Sequence, residues 1–312
     1  MSAPLRLAML GMIPGNGHPY SWSALINGYD REAMARCPYP VIPQYLGSRP
    51  YESVCIPEAR VTHIWTEVQV EAEDVARAAL IPHVVEKPEA VIGEVDGVII
   101  STDDGADHVR RARPFVEAGL PVFVDKPLAT TREELAQFIA WQKGGARILS
   151  SSGLRYAREP EVLAGRPWRW LTNTTAKTWE RYGIHMLEPL FRILGPGLET
   201  VSMQEKNGST VATITHRSGT LLSLAVLPDA PGSYGVIHAY GDDANEIVRP
   251  ADTYHAFRGQ LLAVVNWMLS GKEPYPFSDT VELMSTIIAG IESRDQGRVV
   301  AVDEVRNAVQ AL

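Results

Sequence analysis

The residues best suited to chemistry close an apolar run, in the hexapeptide Val-Phe-Val-Asp-Lys-Pro over 122–127. Pro127 fixes its own φ and lacks a backbone donor, so a strand must end there. Lys126 is therefore expected at the carboxyl end of a strand, and in open α/β sheets that edge binds ligands. A solvated lysine after a strand is the competing interpretation, because the hexapeptide alone does not separate the two.

A glycine-rich turn follows the first apolar run, in the sequence Gly-Met-Ile-Pro-Gly-Asn-Gly over 11–17. Glycines let a backbone approach a pyrophosphate, and the next helix offers its N-terminal amides. The spacing departs from G-x-G-x-x-G, so an ordinary turn competes with a nucleotide site. Its place between a strand and a helix favours dinucleotide binding. The residues of the turn predicted to contact the cofactor are Gly11, Ile13, Pro14, Gly15 and Gly17.

Polar residues end two further predicted strands. Glu67 ends the second strand, where a carboxylate can accept hydrogen bonds from the adenosine ribose, although a solvated strand end fits equally well. No cation follows before Arg77, which favours NAD over NADP because nothing nearby would bind a 2′-phosphate. Thr102 and Asp103 are predicted to line the nicotinamide ribose and ring. His108 joins the predicted cofactor residues, although a packing role at a helix N-terminus suits it better.

His185 lies in a segment of helical periodicity that ends at Gly195. A lone histidine beside an apolar stripe is most often a satisfied core residue. Arg181 would lie one turn earlier if the helix begins that early. A nearby cation favours the neutral imidazole and can also bind an acidic substrate group. A surface arginine paired with Glu180 explains the same sequence equally well.

Alternating strand and helix signals before residue 152 predict a mostly parallel sheet with helices on both faces. The predicted strands are 5–10, 61–67, 83–85, 97–101, 122–124 and 147–151. The predicted helices are 22–29 with Ser21 as cap, 72–80, 107–118, and one that starts at the capping box Thr131–Glu134 and ends at Gly144. Residues 30–60, rich in proline and tyrosine, are predicted to be an irregular loop or insertion that covers the cofactor or reaches a partner subunit, although plain packing over the sheet fits the same residues equally well.

The pattern changes after about residue 153 to strands in direct succession. They are predicted at 168–176, 200–206, 210–215, 221–227 and 236–240, and Asn207-Gly208 is a hairpin signal. Two helices follow, near 257–269 and 279–293. The sequence thus predicts a dinucleotide-binding domain over 1–152 and a second domain over 153–312, built on an open, mainly antiparallel sheet.

Size and composition bound the class of protein. The chain has 312 residues, 45% hydrophobic and 21% charged, which is typical of globular proteins with two domains. A net charge of −8 argues against nucleic acid or anionic membranes as partners. With only two cysteines, Cys37 and Cys55, no disulfide framework and no metal site are expected. We expect a cytosolic protein, since neither a signal peptide nor a membrane span is evident.

Taken together, these segments resemble the glucose–fructose oxidoreductase / inositol dehydrogenase / MocA (Gfo/Idh/MocA) family. The strongest part runs from Asp96 to Ala129 and includes the Asp-Lys-Pro strand end, where the family usually has Glu-Lys-Pro. Gly-Leu-Arg-Tyr over 153–156 and Gly-Ile-His-Met-Leu-Glu over 183–188 also match. The resemblance implies a Rossmann-type domain followed by an α/β domain with an open antiparallel sheet. It further implies NAD(P)-dependent action on sugars, cyclitols or related polyols, and a homodimer or homotetramer.

The resemblance also implies roles for individual residues. Lys126 and His185 match the family's catalytic lysine and histidine, and Asp125 and Lys126 join the predicted cofactor contacts. Many members carry an aspartate four residues before the histidine, whereas this chain has Arg181, which suggests an acidic sugar as substrate. The predicted substrate contacts are Arg155, Tyr156, Lys177, Arg181, Tyr182 and His185.

Three functions stay open on the sequence. The first is an NAD-dependent sugar or polyol dehydrogenase or reductase, in which a neutral imidazole removes the hydroxyl proton and an ammonium group stabilises the developing alkoxide. The second is a redox-neutral lyase, hydrolase or epimerase that retains its nicotinamide. The third is a non-catalytic dinucleotide-binding protein, against which the presence of both Lys126 and His185 speaks.

Overall fold

The first half of the chain forms one parallel sheet. The computed structural model describes residues 3–228 and 234–312. Within these ranges the sheet has six strands: β1 Leu5–Leu10, β2 Ala59–Trp65, β3 His83–Val84, β4 Gly97–Ile100, β5 Val122–Val124 and β6 Ile148–Leu149. Their spatial order is β3-β2-β1-β4-β5-β6, and all neighbours are parallel. All six predicted strands are confirmed, and the order reverses beside β1, which is where such sheets bind ligands.

Helices cover both faces of this sheet. Those in the described ranges are α1 His18–Asn27, α2 Arg31–Met34, α3 Val41–Leu46, α4 Gln69–Ala78, α5 His108–Glu117, α6 Arg132–Lys143, α7 Trp179–Leu194, α8 Thr253–Ser270, α9 Phe277–Gln296 and α10 Val302–Ala311. Apolar residues of α5 and α6 pack on one face, and those of α1, α4 and α8 pack on the other. The return of α8 to the first sheet was not predicted, and the division at residue 152 stays a prediction.

The starts of α6 and α1 show which local signals determine where a helix begins. Thr131 accepts the amide of Glu134, and the Glu134 carboxylate accepts the amide of Thr131, so the predicted capping box of α6 is confirmed. The helix predicted over 22–29 is present as α1, but its predicted start was wrong, because it begins four residues earlier, at His18. Pro19 in its first turn is pre-set for a helical φ. Ser21 therefore lies inside the helix, where its hydroxyl bonds with that of Tyr45 instead of capping.

Residues 30–60 are ordered, so the prediction of an irregular insertion was wrong. They form α2, α3 and a short 3-10 turn at Tyr51–Ser53. Asp30 caps α2 by accepting the amide of Ala33. Ile42 and Leu46 of α3 are buried in the cluster that contains α1 and α8. This segment is therefore part of the core on that face of the sheet.

A second sheet occupies the rest of the chain. Within the described ranges its strands are β7 Trp170–Thr175, β8 Leu198–Lys206, β9 Ser209–His216, β10 Leu221–Val226, β11 Ile237–Tyr240, β12 Asn245–Val248 and β13 Val300–Ala301. The order is β12-β11-β7-β10-β9-β8-β13, antiparallel except for β7 beside β10. The five predicted strands are confirmed, whereas the short edge strands β12 and β13 were missed. Asn207 and Gly208 both have positive φ, as the predicted hairpin requires.

The structure also bears on the expectations about disulfide bonds, metal sites and membrane-spanning helices. Cys37 and Cys55 are both free thiols. Among the described residues, no group of acidic, histidine and cysteine side chains has the arrangement of a metal site. No helix of the described ranges is long and apolar enough to cross a bilayer.

Candidate active site

Lys126 follows β5 directly and is a buried cation. Its side chain is only 2% exposed, so the solvated-lysine interpretation is wrong. The ammonium lies 3.3 Å from Oδ2 of Asp103, which follows β4. It also lies over the ring of Tyr182, 4.7 Å from the centroid. The hexapeptide therefore places a charged group at the carboxyl edge of the parallel sheet.

Asp103 connects this lysine to the second half of the chain. Its other carboxylate oxygen accepts a hydrogen bond from Nη2 of Arg181 at 2.5 Å. Burial opposes ionisation, but Lys126 and Arg181 outweigh it and hold the pKa of Asp103 well below its usual range. Arg181 is thus not the surface partner of Glu180, whose carboxylate is 2.6 Å from Arg294 instead. A cation stands at position 181, and Asp103 supplies the carboxylate next to it.

Lys177 links α7 to the glycine turn. It has a left-handed backbone, with φ of 62°, just before Thr178 caps α7. Its ammonium donates to the carbonyl of Gly15 at 3.0 Å and lies 4.4 Å from the centroid of the Tyr182 ring. Burial lowers the pKa of Lys177. Lys177, predicted as a substrate contact, lies beside the predicted phosphate turn.

His185 lies one turn after Arg181 on α7. Its Nδ1 is 2.6 Å from the hydroxyl of Ser152, and its ring packs edge-on against Tyr182 and Tyr234. Burial, with Lys126 next in effect, lowers the pKa of His185 well below its usual value. The imidazole is therefore neutral at ordinary pH. Tyr182 contacts the histidine on one side and Lys126 on the other, so its ring lies between the two predicted catalytic groups.

Arg155 and Tyr156, predicted to contact substrate, lie in a layer behind His185. Arg155 is paired with the carboxylate of Glu188 at 3.3 Å and lies over the ring of Tyr275. The same carboxylate accepts the amide of Ser152 at 2.6 Å. Burial raises the pKa of Glu188 to about 7. This buried pair therefore holds the serine that holds His185, while Tyr156 lies against Gly259 of α8.

The glycine turn is fixed to the strand ends around it. Gly11 has a φ of 93°, and a Cβ there would lie 2.7 Å from the side chain of Thr102. The Glu67 carboxylate accepts the amide of Met12 at 2.8 Å and lies 2.5 Å from Nη2 of Arg111. Arg111, on α5, is a cation that sequence reasoning missed, because it lies 44 residues after Glu67. In the same turn, Pro14 and Gly15 are exposed while Ile13 and Gly17 are half-buried.

Two predicted cofactor residues are fully buried and bonded within the protein. The ring nitrogens of His108 lie 2.9 Å and 2.8 Å from the carbonyls of Pro127 and Thr102, so this histidine joins the ends of β4 and β5. Asp125 accepts the amide of Lys126 at 2.7 Å and lies 2.6 Å from Nδ1 of His18. His18 is a site residue that the sequence reasoning missed. The available signal was its position directly after the glycine turn.

Among the described residues, two of the cavities along this edge of the first sheet lie beside the glycine turn. The larger, of about 190 Å³, lies between the glycine turn and α1, α3, α7 and α8. Its lining includes Gly15, His18, Tyr39, Tyr45, Asp103 and Tyr182. The smaller, of about 50 Å³, lies near the end of β2 and is lined by groups that include Trp65 and Arg111. The edge thus offers one site beside the charged cluster and another at the far end of the turn.

Part of the first sheet and its helices matches a known protein family. Residues 44–151 match the Gfo/Idh/MocA family, described as an oxidoreductase family with an NAD-binding Rossmann fold. The matched segment carries Glu67, Asp103 and Lys126. The match covers 108 of the 312 residues and shows that this part of the chain is similar to the family's NAD-binding domain. It begins inside α3, so β1 and the glycine turn lie outside it.

Solved structures extend the likeness to the whole fold. Myo-inositol 2-dehydrogenase from Lactobacillus plantarum is 14% identical, with a TM-score of 0.72, over 96% of this chain and 99% of that chain. Apo scyllo-inositol dehydrogenase from Lactobacillus casei is 13% identical, with a TM-score of 0.73, over 97% and 100%. GenD2 from gentamicin A biosynthesis, in complex with NAD, is 17% identical, with a TM-score of 0.71, over 96% and 97%. No curated protein sequence matches the chain. The predicted fold, a Rossmann-type parallel sheet followed by a second, mainly antiparallel sheet, is therefore confirmed.

Proposed function

We propose that this protein is an NAD-dependent dehydrogenase or reductase that acts on an alcohol carbon of a sugar, cyclitol or related polyol. One observation carries the proposal: the buried ammonium of Lys126 and the buried neutral imidazole of His185 converge on Tyr182 from the two halves of the chain. They do so beside the glycine turn, at the ligand-binding edge of a parallel sheet. The family match supports the oxidoreductase chemistry. The inositol dehydrogenases among the structural neighbours support the substrate class.

The residues along the sheet edge fit a dinucleotide. The hydroxyl of Thr102 is buried without a hydrogen-bond partner among the described residues, so it is available to bond a ligand, and Gly11 lies directly against Thr102 with no side chain between them. We assign the pyrophosphate to the glycine turn and Lys177, the adenosine ribose to Glu67, and the nicotinamide end to Thr102 and Asp103. Bound there, the nicotinamide would supply the hydride acceptor or donor.

The preference for NAD over NADP is part of the proposal. Glu67 stands where the adenosine ribose is expected, and a carboxylate there favours free hydroxyls over a 2′-phosphate. The adjacent cation, Arg111, is already engaged by Glu67 and by Asp107, each at 2.5 Å. A 2′-phosphate would have to compete with both carboxylates for this arginine.

The chain's own residues supply the proton chemistry of the proposed reaction. His185 accepts the hydroxyl proton at Nε2, since Nδ1 is bonded to Ser152 and burial keeps the ring neutral. Lys126 stabilises negative charge on the same oxygen in a site shielded from water. A substrate that contacts both groups must displace the ring of Tyr182, which separates them here.

An acidic substituent on the substrate is a further part of the proposal. Lys126, Lys177 and Arg181 surround the carboxylate of Asp103, and Asp125 also acts on Lys177, so three cations face two buried carboxylates. Lys126 and Arg181 already share the carboxylate of Asp103. A substrate carboxylate or phosphate would balance the remaining charge.

Two measurements test the proposed function. Mass spectrometry of the purified protein should detect bound nicotinamide dinucleotide. A panel of cyclitols, neutral sugars and sugar acids should then include a compound whose turnover changes the absorbance of the nicotinamide. A protein that neither holds nor binds a nicotinamide, and turns over no panel member, would refute the proposal. Product formation without net oxidation of the substrate would instead establish the redox-neutral alternative.

We also propose that the protein forms homodimers or homotetramers through the outer face of the second sheet. Trp170 and Tyr240 stack there and are 41% and 40% exposed, while Ile247 on the neighbouring edge is 68% exposed. Exposed apolar groups gathered on one face mark an interaction surface. Trp170→Glu should shift the protein towards monomers in light scattering, whereas Leu269→Glu, at an exposed position of α8, should not. Unchanged mass for Trp170→Glu would contradict the assignment.

A further inference from the structure

His18 and Asp125 form a carboxylate–imidazole pair, and the imidazole lines the larger cavity. The two atoms Nδ1 and Oδ2 are 2.6 Å apart, and the Asp125 side chain is completely buried whereas that of His18 is 16% exposed. The carboxylate is held from two other directions, by the amide of Lys126 at 2.7 Å and by the side-chain amide of Asn16 at 3.3 Å. These two bonds fix the orientation of the carboxylate independently of its bond with the imidazole.

Contacts with two aromatic rings also restrain the imidazole of His18. The ring stacks on Trp22 with centroids 4.2 Å apart, and Phe257 of α8 packs edge-on at 5.6 Å. Nδ1 is committed to Asp125. Among the described residues, Nε2 of His18 has no hydrogen-bond partner, and the residue lines the cavity. A rigid imidazole with one nitrogen on a carboxylate and the other left for a ligand is how proteins build an acid–base group.

We propose that His18 is an acid–base residue of this site, with Asp125 as its positioning residue. The ligand is a hydroxylated small molecule in the 190 Å³ cavity. The O–H bond of a ligand hydroxyl breaks, its oxygen keeps the electron pair, and the proton forms a new N–H bond at Nε2. The Nδ1 proton stays on the hydrogen bond to Asp125, whose negative charge balances the imidazolium. The inference rests on the proposed function and adds to it a second proton-transfer group, opposite His185.

The pairing involves the residue at which the strand end departs from the family pattern. Asp125 stands where the resemblance leads one to expect a glutamate, and the helix that follows the glycine turn brings His18 to it. One carboxylate oxygen accepts the amide of Lys126 while the other bonds with Nδ1 of His18. The aspartate and the histidine therefore form one hydrogen-bonded unit at the strand end.

Nuclear magnetic resonance on protein with isotope-labelled histidine tests the pair without cofactor or substrate. In the wild type, His18 should carry its proton on Nδ1, whether the ring is neutral or charged. Asp125→Asn should move the neutral ring to the Nε2–H form, because an amide nitrogen cannot accept that proton. A neutral His18 with its proton on Nε2 in the wild type would overturn the proposal, as would a tautomer that Asp125→Asn leaves unchanged.

Kinetics supply the second arm, with myo-inositol, scyllo-inositol, D-glucose and D-glucuronate as probes. His18→Ala should lower kcat by about 100-fold or more while NADH affinity, read by fluorescence, stays near that of the wild type. Added imidazole should restore part of the rate. The control His255→Gln, at an exposed site on α8, should behave as wild type. Near-wild-type kcat for His18→Ala, or a loss that imidazole does not relieve in a folded protein, would overturn the assignment.

The two arms separate the failure of this inference from the failure of the proposed function. If the wild-type protein turns over none of the four probes, the kinetic arm addresses the proposed function alone. The tautomer of His18 and its response to Asp125→Asn then decide the inference by themselves.

Discussion

The candidate site contains two histidines whose surroundings differ in one respect that matters for chemistry. His185 bonds with the hydroxyl of Ser152 and lies among tyrosine rings and cations, so burial and charge lower its pKa and keep it neutral. His18 bonds with a buried carboxylate, that of Asp125. A hydroxyl can donate to an imidazole nitrogen or accept from it, whereas a carboxylate can only accept, so Asp125 fixes a proton on Nδ1 of His18. On the proposals above, the two histidines therefore take different roles in proton transfer.

The two regions also differ in the groups that hold each histidine in position. His18 is supported by Asp125, at the end of β5, and Asp125 is in turn bonded by Asn16 of the glycine turn. The support of His185 is a buried ion pair between Arg155 and Glu188, which fixes Ser152. The difference predicts that the His185 region is more sensitive to the loss of a single charge. Four substitutions test this comparison, from the largest expected effect to the smallest.

Arg155→Ala should cost about 3–5 kcal/mol in the free energy of unfolding, because it leaves Glu188 buried without its partner. Denaturant unfolding measures the change. Arg169→Ala is the matched control, since its ion pair with Asp242 is largely exposed and should contribute less than about 1 kcal/mol. Equal losses for the two variants would show that the buried pair does not support this region.

Lys126→Ala should lower kcat by about 100- to 1000-fold, the usual cost of removing one electrostatic stabiliser from a buried site. Steady-state rates on the best panel substrate measure the loss, with NADH binding as a check on the cofactor site. Lys143→Ala, at the exposed end of α6, should match the wild type. Turnover close to wild type in a Lys126→Ala protein that binds NADH would remove this residue from the mechanism.

Glu188→Gln should change the pH dependence of stability. The pKa of this carboxyl is raised from 4.5 to about 7 in the folded protein, so the folded state binds more protons than the unfolded state between these values. The free energy of unfolding of the wild type should therefore fall as pH rises from about 4.5 to about 7, by at most about 3 kcal/mol. The variant cannot titrate there and should show a flatter profile in thermal unfolding. Parallel profiles would contradict the raised pKa.

Glu67→Ala should shift cofactor preference from NAD towards NADP by about tenfold, since it frees Arg111 to bond a phosphate. Fluorescence titrations with NADH and NADPH measure the two affinities. Glu71→Ala, one turn into α4, provides a control. An unchanged ratio of affinities would mean that Arg111 stays on Asp107 or that the adenosine ribose lies elsewhere.

Local signals sufficed for most elements but not for the segment between α1 and β2. The alternation of apolar and polar residues located the strands, and the capping box at Thr131 and the turn at Asn207 each depend on residues that are neighbours in sequence. The prolines of residues 30–60 concealed two short helices, whose stability comes from Ile42 and Leu46 packing against α1 and α8. The edge strands β12 and β13 were missed because they are held by pairing with other strands rather than by a pattern of their own.

The sequence by itself determined the parallel sheet, the glycine turn at its edge and the presence of Lys126 at a strand end, because each follows from the order and type of adjacent residues. Only the tertiary structure decided which charges meet. Asp103 and Arg181 are 78 residues apart, and His18 and Asp125 are 107 apart. Such pairs form where a parallel sheet and a helix from another part of the chain converge, and the energy of a buried charge depends on the partner it finds there. The sequence left His18 unassigned, and its proposed role depends on its contact with Asp125 in the folded chain.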